Sequence, residues 1–402
     1  MRETTSEHPE THEEPDERTL ELARTFGHHD EGLDVAFDVY RELRERCPIG
    51  RSDRYGGFWF AVRYDDIHAI EQQPETFAVS PGMLLPPMGH VRPGIPIDID
   101  PPMHGKYRRI TLPAFTPQRI AEMEPLVRGI ARDLLDEIGD VDEVDASKRF
   151  AVPMPMRVFC AVAGLPAEDS ERLEDWIDRI FYVRTHDYAD TERAAAECCA
   201  YLAERFEARR REPPRDDLLG RLLTAEVDGR PLSEEELVDY GFVLLTAGLD
   251  TTAWVIRSGL WHLAQHPDDL ARLVEQPELI PTAVEEFLRC LSSVQAMART
   301  ATEDVPLDGH EVAEGDRVLI VFGAGNRDEA VFPDGDRIRI DRQPNPHMAF
   351  GVGIHRCLGS NLARRELRIA FEEFLARHPV FALAPGADPP WHGIGPLPLV
   401  LG

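Results

Sequence analysis

The sequence predicts a mainly α-helical fold with small β-sheets in a single large domain. Helical periodicity dominates from about residue 103 to residue 291, whereas β-type runs are short and lie on either side of that region. The helix predicted for 233–265 is far longer than usual and apolar on most of its sides, so it must cross the centre of the molecule. No internal repeat or flexible linker divides the chain, and one domain over residues 32–402 is the simplest organisation.

The first part of the chain predicts a leader and a helix. Residues 1–31 are polar, charged and without period, which is typical of a mobile acidic leader. Apolar residues then recur at three- and four-residue spacing from Leu33 until Pro48, as in an amphipathic helix.

A hairpin and a long loop come next. Two short aromatic and β-branched runs, 51–55 and 58–63, flank Gly56-Gly57 and predict a β-hairpin. Residues 74–102 hold many Pro and Gly with isolated Met and Leu, which indicates a long loop without regular structure. Loops of this length usually serve a function, for example as the cover of a site.

The central region predicts a series of helices. The longest opens with a capping box, in which Ser233 and Glu236 satisfy each other's backbone N–H groups. The helical segments are 103–112, 117–138, 147–163, 168–184, 191–211, 215–225, 233–265, 267–275 and 278–291.

Beyond residue 291 the pattern changes. Short β-type runs at 295–302 and 318–322 lead into an irregular region rich in Pro, Gly and Asp, 325–355. A helix over about 358–378 and a short extended tail complete the chain.

Composition excludes several classes of protein. The 402 residues include 73 acidic and 44 basic side chains, a formal charge of −29, which disfavours binding to nucleic acid or to an anionic membrane. No stretch approaches the roughly 18 apolar residues of a membrane span, and no signal peptide precedes the first helix. The six cysteines show neither disulfide nor zinc spacing. We therefore expect a soluble cytoplasmic protein, and a monomer.

The sharpest feature is a glycine-rich loop, Phe350-Gly351-Val352-Gly353-Ile354-His355-Arg356-Cys357-Leu358-Gly359. It delivers one cysteine to the start of a helix, where backbone N–H groups and the helix dipole stabilise a thiolate. Such a cysteine could bind a metal, or it could act as a nucleophile paired with His355, as in a cysteine hydrolase.

The spacing Phe-x-x-Gly-x-His-x-Cys-x-Gly in this loop resembles the haem-binding loop of cytochrome P450 enzymes. Three further runs resemble the same family in the same order: Asp100-Pro101-Pro102 to Arg109, Ala247-Gly248-Leu249-Asp250-Thr251-Thr252, and Glu286-Phe287-Leu288-Arg289. Within the family, Pro153–Phe159 and Ala163–Pro166 are similar to the camphor-hydroxylase branch of soluble bacterial members. The resemblance runs from about residue 33 to the end and implies the triangular-prism fold of that family.

The resemblance implies haem b as cofactor, with Cys357 as the axial ligand of its iron. It assigns the haem propionates to His104, Arg108, Arg299 and His355, and further haem contacts to Ala247, Gly248, Phe350, Gly351 and Gly359. Asp250 and Thr251 would be the catalytic pair that delivers protons during dioxygen activation, and Glu286 with Arg289 would lock the fold behind the haem. The implied reaction converts RH, O2, two electrons and two protons to ROH and water.

The substrate is expected between the long helix, the 74–99 loop and the strand after Arg289. By position, the pocket walls are Met83, Leu84, Leu85, Arg92, Val243, Thr246, Ala247, Val294 and Gln295. These mostly apolar walls suit a small-to-medium lipophile, terpenoid or aromatic. Arg92 could anchor a substrate carboxylate, or it could face solvent.

Electrons must come from another protein, because the chain has no dinucleotide-binding loop, flavin domain or ferredoxin cluster. The resemblance implies a ferredoxin and its reductase, with NAD(P)H used only indirectly. The expected docking face carries Lys106, Arg108, Arg109, Arg356, Arg364, Arg365 and Arg368. A peroxygenase that uses hydrogen peroxide, and a non-catalytic haem protein that only binds a ligand, remain alternatives.

Overall fold

One long helix, Glu234–Gln265, is buried along most of its length and organises the elements around it. The computed structural model describes residues 15–27, 33–87, 92–181, 187–388 and 395–402. The helix begins at the predicted capping box: the Ser233 hydroxyl accepts from the Glu236 N–H at 3.2 Å, and the Glu236 carboxylate accepts from the Ser233 N–H at 2.7 Å. The prediction for this element is confirmed.

The described residues form fifteen α-helices in all. In chain order they are α1 (Glu17–Thr25), α2 (Leu33–Arg46), α3 (Tyr64–Glu71), α4 (Met103–Thr111), α5 (Pro117–Glu122), α6 (Glu124–Ile138), α7 (Pro153–Ala163), α8 (Ser170–Phe181), α9 (Tyr188–Arg210), α10 (Leu218–Leu223), α11 (Glu234–Gln265), α12 (Pro267–Glu275), α13 (Ile280–Leu291), α14 (Phe322–Gly325) and α15 (Ser360–Arg377).

The described residues also form twelve short strands. They are β1 (Ile49–Ser52), β2 (Phe58–Ala61), β3 (Phe77–Ala78), β4 (Glu143–Asp145), β5 (Glu226–Val227), β6 (Arg230–Pro231), β7 (Met297–Ala301), β8 (Val305–Leu307), β9 (His310–Val312), β10 (Arg317–Ile320), β11 (Phe381–Leu383) and β12 (Pro398–Leu401). The largest sheet has the order β1-β2-β10-β7-β3, and a smaller sheet has the order β11-β12-β4. The predicted hairpin is confirmed, since β1 and β2 pair antiparallel with Ile49 opposite Ala61.

Several predicted boundaries differ from the structure: the loop predicted for 74–102 contains the short strand β3, and two other differences have a clear physical cause. The segment 117–138 is two helices, because Pro125 lies in the first turn of α6 and cannot donate the N–H that would continue α5. Part of the predicted leader is folded: α1 buries Thr19 and Ala23, and its Asp16 cap accepts from the Thr19 N–H. Residues 1–14 and 28–31 of that segment lie outside the described residues.

The site lies where α11 meets the chain segment before α15. α11 packs against α7, α9, α13 and α15, and the cysteine loop leads directly into α15. A main hydrophobic core joins the helices to the inner face of the large sheet, and a smaller core covers the other face. No helix in the described part of the chain is long and apolar enough to cross a membrane.

Candidate active site

The cysteine loop opens onto a large internal cavity. The Cys357 side chain is exposed to a cavity of about 1240 Å³, while its backbone N–H donates to the Phe350 carbonyl at 2.8 Å. The deep position of this thiol raises its pKa, and the Gly359 N–H and the Arg108 guanidinium act in the opposite direction by favouring the thiolate. The other five cysteines are free thiols that are buried or half-buried.

Two glycines of this loop are required by its backbone and by a close neighbour. Gly351 and Gly353 have φ values of +63° and +66°, in the left-handed region. A Cβ at Gly353 would lie 2.5 Å from the Glu71 carbonyl oxygen, so no larger residue fits. The loop therefore packs directly on the end of α3.

Two histidines and an arginine line the cavity beside the cysteine. The rings of His104 and His355 lie 4.2 Å apart between centroids, and the Nε2 atom of each is buried without a hydrogen-bond partner. Burial, followed by the charges of His104, Arg299 and Arg108, lowers the pKa of His355 to about 3. Arg108 donates to the Arg356 carbonyl and has no carboxylate partner among the described residues. This wall of the cavity is suited to an anion.

Arg299 also lines the cavity and is bound by the carboxylate of Glu71, a residue that the sequence analysis did not single out. The Arg299 Nη2 lies 2.9 Å from the Glu71 Oε1, and both side chains are buried. Burial raises the pKa of Glu71 to about 7 and lowers that of Arg299, because both charged forms are withdrawn from water, while the ion pair opposes both shifts.

The predicted catalytic pair lies on α11 at the cavity wall. Ala247 and Gly248 are exposed to the cavity in the middle of a mostly buried helix, and Asp250 and Thr251 line the cavity one turn further on. The Thr251 hydroxyl donates to the Ala247 carbonyl at 3.2 Å. A Cβ at Gly248 would lie 3.3 Å from the Phe159 ring, so a small residue keeps this wall open.

All nine predicted pocket residues line the same cavity. Arg92 does so while bound to Asp239 of α11: Nε lies 2.9 Å from Oδ2 and Nη2 lies 2.7 Å from Oδ1. Arg92 is thus not an unpaired anchor: its side chain is exposed, and a carboxylate of the protein already neutralises it.

Glu286 and Arg289 do not line the cavity but form a buried network behind it. Arg289 donates from Nε and Nη2 to the Glu286 carboxylate, at 2.8 Å each, and both side chains are fully buried. Arg342 and Asn345 also donate to Glu286, and Arg289 also donates to the Asn326 carbonyl. Burial alone would raise the pKa of Glu286, but the bonds from Arg289 outweigh it and hold the pKa below its usual range.

Most cations of the predicted docking face are paired within the protein. Arg364 binds Glu285 at 2.7 and 2.8 Å, Lys106 binds Asp228 at 2.7 Å, and Arg365 and Arg368 share Glu124. Arg109 and Arg356 are exposed and pair with no carboxylate in the described part of the chain.

Sequence reasoning missed two buried carboxyl groups at the cavity. Glu71 ends a helix that was not predicted, and Glu366 lies in an Arg-Arg-Glu run that is typical of a solvated helix face. Both line the cavity and are buried, and burial raises the pKa of Glu366 well above its usual value. No local pattern marks either residue, because their burial results from elements distant in sequence.

The cavity fits haem. Its wall offers a thiol at Cys357, two buried imidazole nitrogens without partners, and the Arg108 guanidinium, which together match an iron and two propionates. Glycines at 248, 351 and 359 leave space for a flat group.

Comparisons with known proteins indicate one family. A family profile described as Cytochrome P450 matches residues 165–278 and 272–390. The chain is 38% identical to mycinamicin IV hydroxylase/epoxidase of Micromonospora griseorubida, over 85% of this chain and 87% of that protein. It is 35% identical to a steroid C26-monooxygenase of Mycolicibacterium smegmatis, over 88% of each. The crystal structure of CYP109E1 from Bacillus megaterium in complex with testosterone superposes with a TM-score of 0.84 at 31% identity, covering 91% of this chain and 97% of that one.

Proposed function

The chain belongs to the cytochrome P450 family, and on that premise we propose that it is a monooxygenase that inserts one atom of dioxygen into a small-to-medium terpenoid or aromatic lipophile, with electrons from a separate ferredoxin and reductase. Membership makes it a haem-dependent oxidoreductase acting on lipophilic substrates. One observation carries the finer proposal: the same cavity is lined by Cys357, by the Asp250–Thr251 pair and by the four side chains assigned to the propionates, His104, Arg108, Arg299 and His355.

The residues of the cavity divide into those that hold haem and those that handle protons. Cys357 Sγ would hold the iron, and His104, Arg108, Arg299 and His355 would hold the propionates. Bound haem supplies dioxygen activation and oxygen transfer.

Proton delivery falls to α11. The Thr251 hydroxyl would hold a proton at the cavity wall, and the Asp250 carboxylate would take protons from solvent and pass them to that hydroxyl. A carboxylate beside a hydroxyl at this wall can deliver the two protons that the reaction with dioxygen consumes, which favours this reaction over direct use of hydrogen peroxide.

The predicted pocket walls support an apolar substrate. Met83, Leu84, Leu85 and Val294 are apolar, and the one arginine among the predicted walls is neutralised by Asp239. A neutral lipophile loses least on entering such a space, because it leaves the Arg92–Asp239 pair intact and brings no charge that would need a partner. Two similar proteins support this size range: one is named a steroid C26-monooxygenase, and the other was crystallised with testosterone.

The test uses the haem-loaded full chain with a ferredoxin, its reductase and NAD(P)H. A panel of neutral lipophiles is screened for the low-to-high-spin shift of the Soret band, and the compounds that shift it are assayed for hydroxylated product. We expect product from at least one shifting compound and none from Cys357→Ser. Products that form equally well with hydrogen peroxide alone would contradict the proposal in favour of a peroxygenase, and ligand binding without any product would favour a haem protein without catalysis.

A further inference from the structure

Glu71 lies where two separate parts of the haem site meet. Its Oε1 accepts from Arg299 of β7 at 2.9 Å, and its Oε2 accepts from the backbone N–H of Val352 in the cysteine loop at 2.8 Å. We propose that Glu71 is a positioning residue, whose carboxylate holds the propionate-side arginine and the cysteine loop in one fixed arrangement. This inference rests on the proposed roles of Arg299 and Cys357 in holding haem.

Burial makes this bridge costly to break. The Glu71 and Arg299 side chains are 2% and 3% exposed, so neither charge can turn to bulk water instead of to its partner. A buried carboxylate that loses its cation, or a buried cation that loses its carboxylate, is left with an uncompensated charge. Each side chain therefore fixes the position of the other.

The cysteine loop is packed onto Glu71 as well as bonded to it. A Cβ at Gly351 would lie 3.2 Å from the Glu71 Oε1, and a Cβ at Gly353 would lie 2.5 Å from the Glu71 carbonyl oxygen. Cys357 follows Gly353 closely in the chain, and its N–H bonds back to Phe350 within the same loop. A shift of Glu71 would thus move the segment that presents the thiol.

The bridge also sets which way Arg299 faces. Its Nη1 donates to its neighbour's carbonyl, that of Ala298, at 3.0 Å, and its Nη2 is held by Glu71. The guanidinium is therefore ordered at the cavity wall before any anion enters, and binding costs little side-chain entropy. Glu71 contributes to haem binding without needing to touch the haem.

The test compares Glu71→Gln with wild type and with Glu373→Gln. Glu373 is a half-buried carboxylate that accepts from two arginines, Arg128 and Arg132, and does not line the cavity. In Glu71→Gln an NH2 group, which only donates, replaces one of the two carboxylate oxygens, so one of the two donors loses its acceptor, and the side chain carries no charge. Release of haem to excess apomyoglobin is measured, together with the Soret position of the ferrous carbon-monoxide complex.

We expect Glu71→Gln to release haem about tenfold faster than wild type, the factor that corresponds to one charge-assisted hydrogen bond. In Glu71→Gln, part of the Soret band of the ferrous carbon-monoxide complex should shift away from the wavelength of thiolate ligation. In Glu373→Gln the band should match that of wild type. Glu71→Asp keeps the charge, should fall between the two, and provides a measurable variant if Glu71→Gln does not fold.

Two outcomes would overturn the inference in different ways. If wild type shows the thiolate band and Glu71→Gln matches Glu373→Gln in both measurements, Glu71 has no positioning role although the proposed function stands. If wild type itself lacks the thiolate band, the proposed function fails and this inference fails with it.

Discussion

Arg92 and Asp239 form a bidentate ion pair that joins the loop before α4 to the wall of α11. The Asp239 side chain is 6% exposed, whereas that of Arg92 is 42% exposed, so the pair runs from the buried face of α11 to the surface. The only arginine among the predicted pocket walls is therefore neutralised by the protein, and a substrate carboxylate would have to displace Asp239 to reach it.

Releasing Arg92 should change the preference for acids. We expect Asp239→Asn to raise the affinity for an acidic analogue about tenfold relative to its neutral amide, since a charge-assisted bond becomes available. Arg92→Ala should weaken binding of both analogues equally. Spin-shift titrations measure both, with Asp190→Asn at the remote Arg179 pair as control. A selective loss of acid binding in Arg92→Ala would show that Arg92 already anchors acids.

Thr251→Ala removes the hydroxyl that handles protons at the cavity wall. We expect hydroxylated product per electron consumed to fall about a hundredfold, the range of a lost proton-transfer group, with hydrogen peroxide released instead. Thr251→Ser keeps the hydroxyl and serves as the matched control. Equal coupling in all three proteins would exclude this role for Thr251.

Glu286→Gln should lower the stability of the fold and not only the activity. Arg289 and Arg342 would lose the charge of their shared buried carboxylate, which costs about 3–5 kcal/mol of the free energy of unfolding. Glu137→Gln, at the exposed pair with Arg157, should cost at most about 1 kcal/mol. Urea unfolding of both variants measures the difference, and similar losses would contradict the buried network.

Protonation of Glu236 should lower the free energy of unfolding in acid. The bonds from Arg230 and Tyr107 outweigh burial and lower the pKa of Glu236 from 4.5 to about 2. A carboxyl whose pKa is lower in the folded state contributes its full stability above the ordinary pKa and loses it as the pH falls towards the folded value. The gap in free energy of unfolding between wild type and Glu236→Gln should thus be widest above pH 4.5 and shrink towards about pH 2. A gap independent of pH would contradict this assignment.

Docking of the electron donor should depend on the cations that the protein leaves unpaired. We expect Arg109→Glu to slow reductase-coupled turnover, with a dependence on salt, because Arg109 is exposed and has no carboxylate partner among the described residues. Arg365→Glu should act mainly on stability, because it places a carboxylate beside Glu124. Steady-state rates at increasing ionic strength, with melting temperatures as control, distinguish the two. If turnover does not depend on salt and is unchanged in Arg109→Glu, the electron donor binds at another surface.

The fold was predictable where a pattern is local. The capping box at Ser233, the hairpin around Gly56-Gly57 and the helix after Cys357 depend on neighbours within a few residues, and the structure contains all three. The break at Pro125 and the burial of α1 were missed, because periodicity does not show whether a proline interrupts a helix or what covers a polar one. The likeness to the camphor-hydroxylase branch stays a prediction.

The sequence by itself determined the family, the single cysteine of the cavity and the residues around it, because these depend on short motifs whose spacing is fixed by local backbone geometry. Only the tertiary structure decided which charge meets which. Arg92 and Asp239 are 147 residues apart, Glu71 and Val352 are 281 apart, and Arg365 and Glu124 are 241 apart. Ion pairs depend on distance in space and on burial, and neither is encoded in the spacing along the chain.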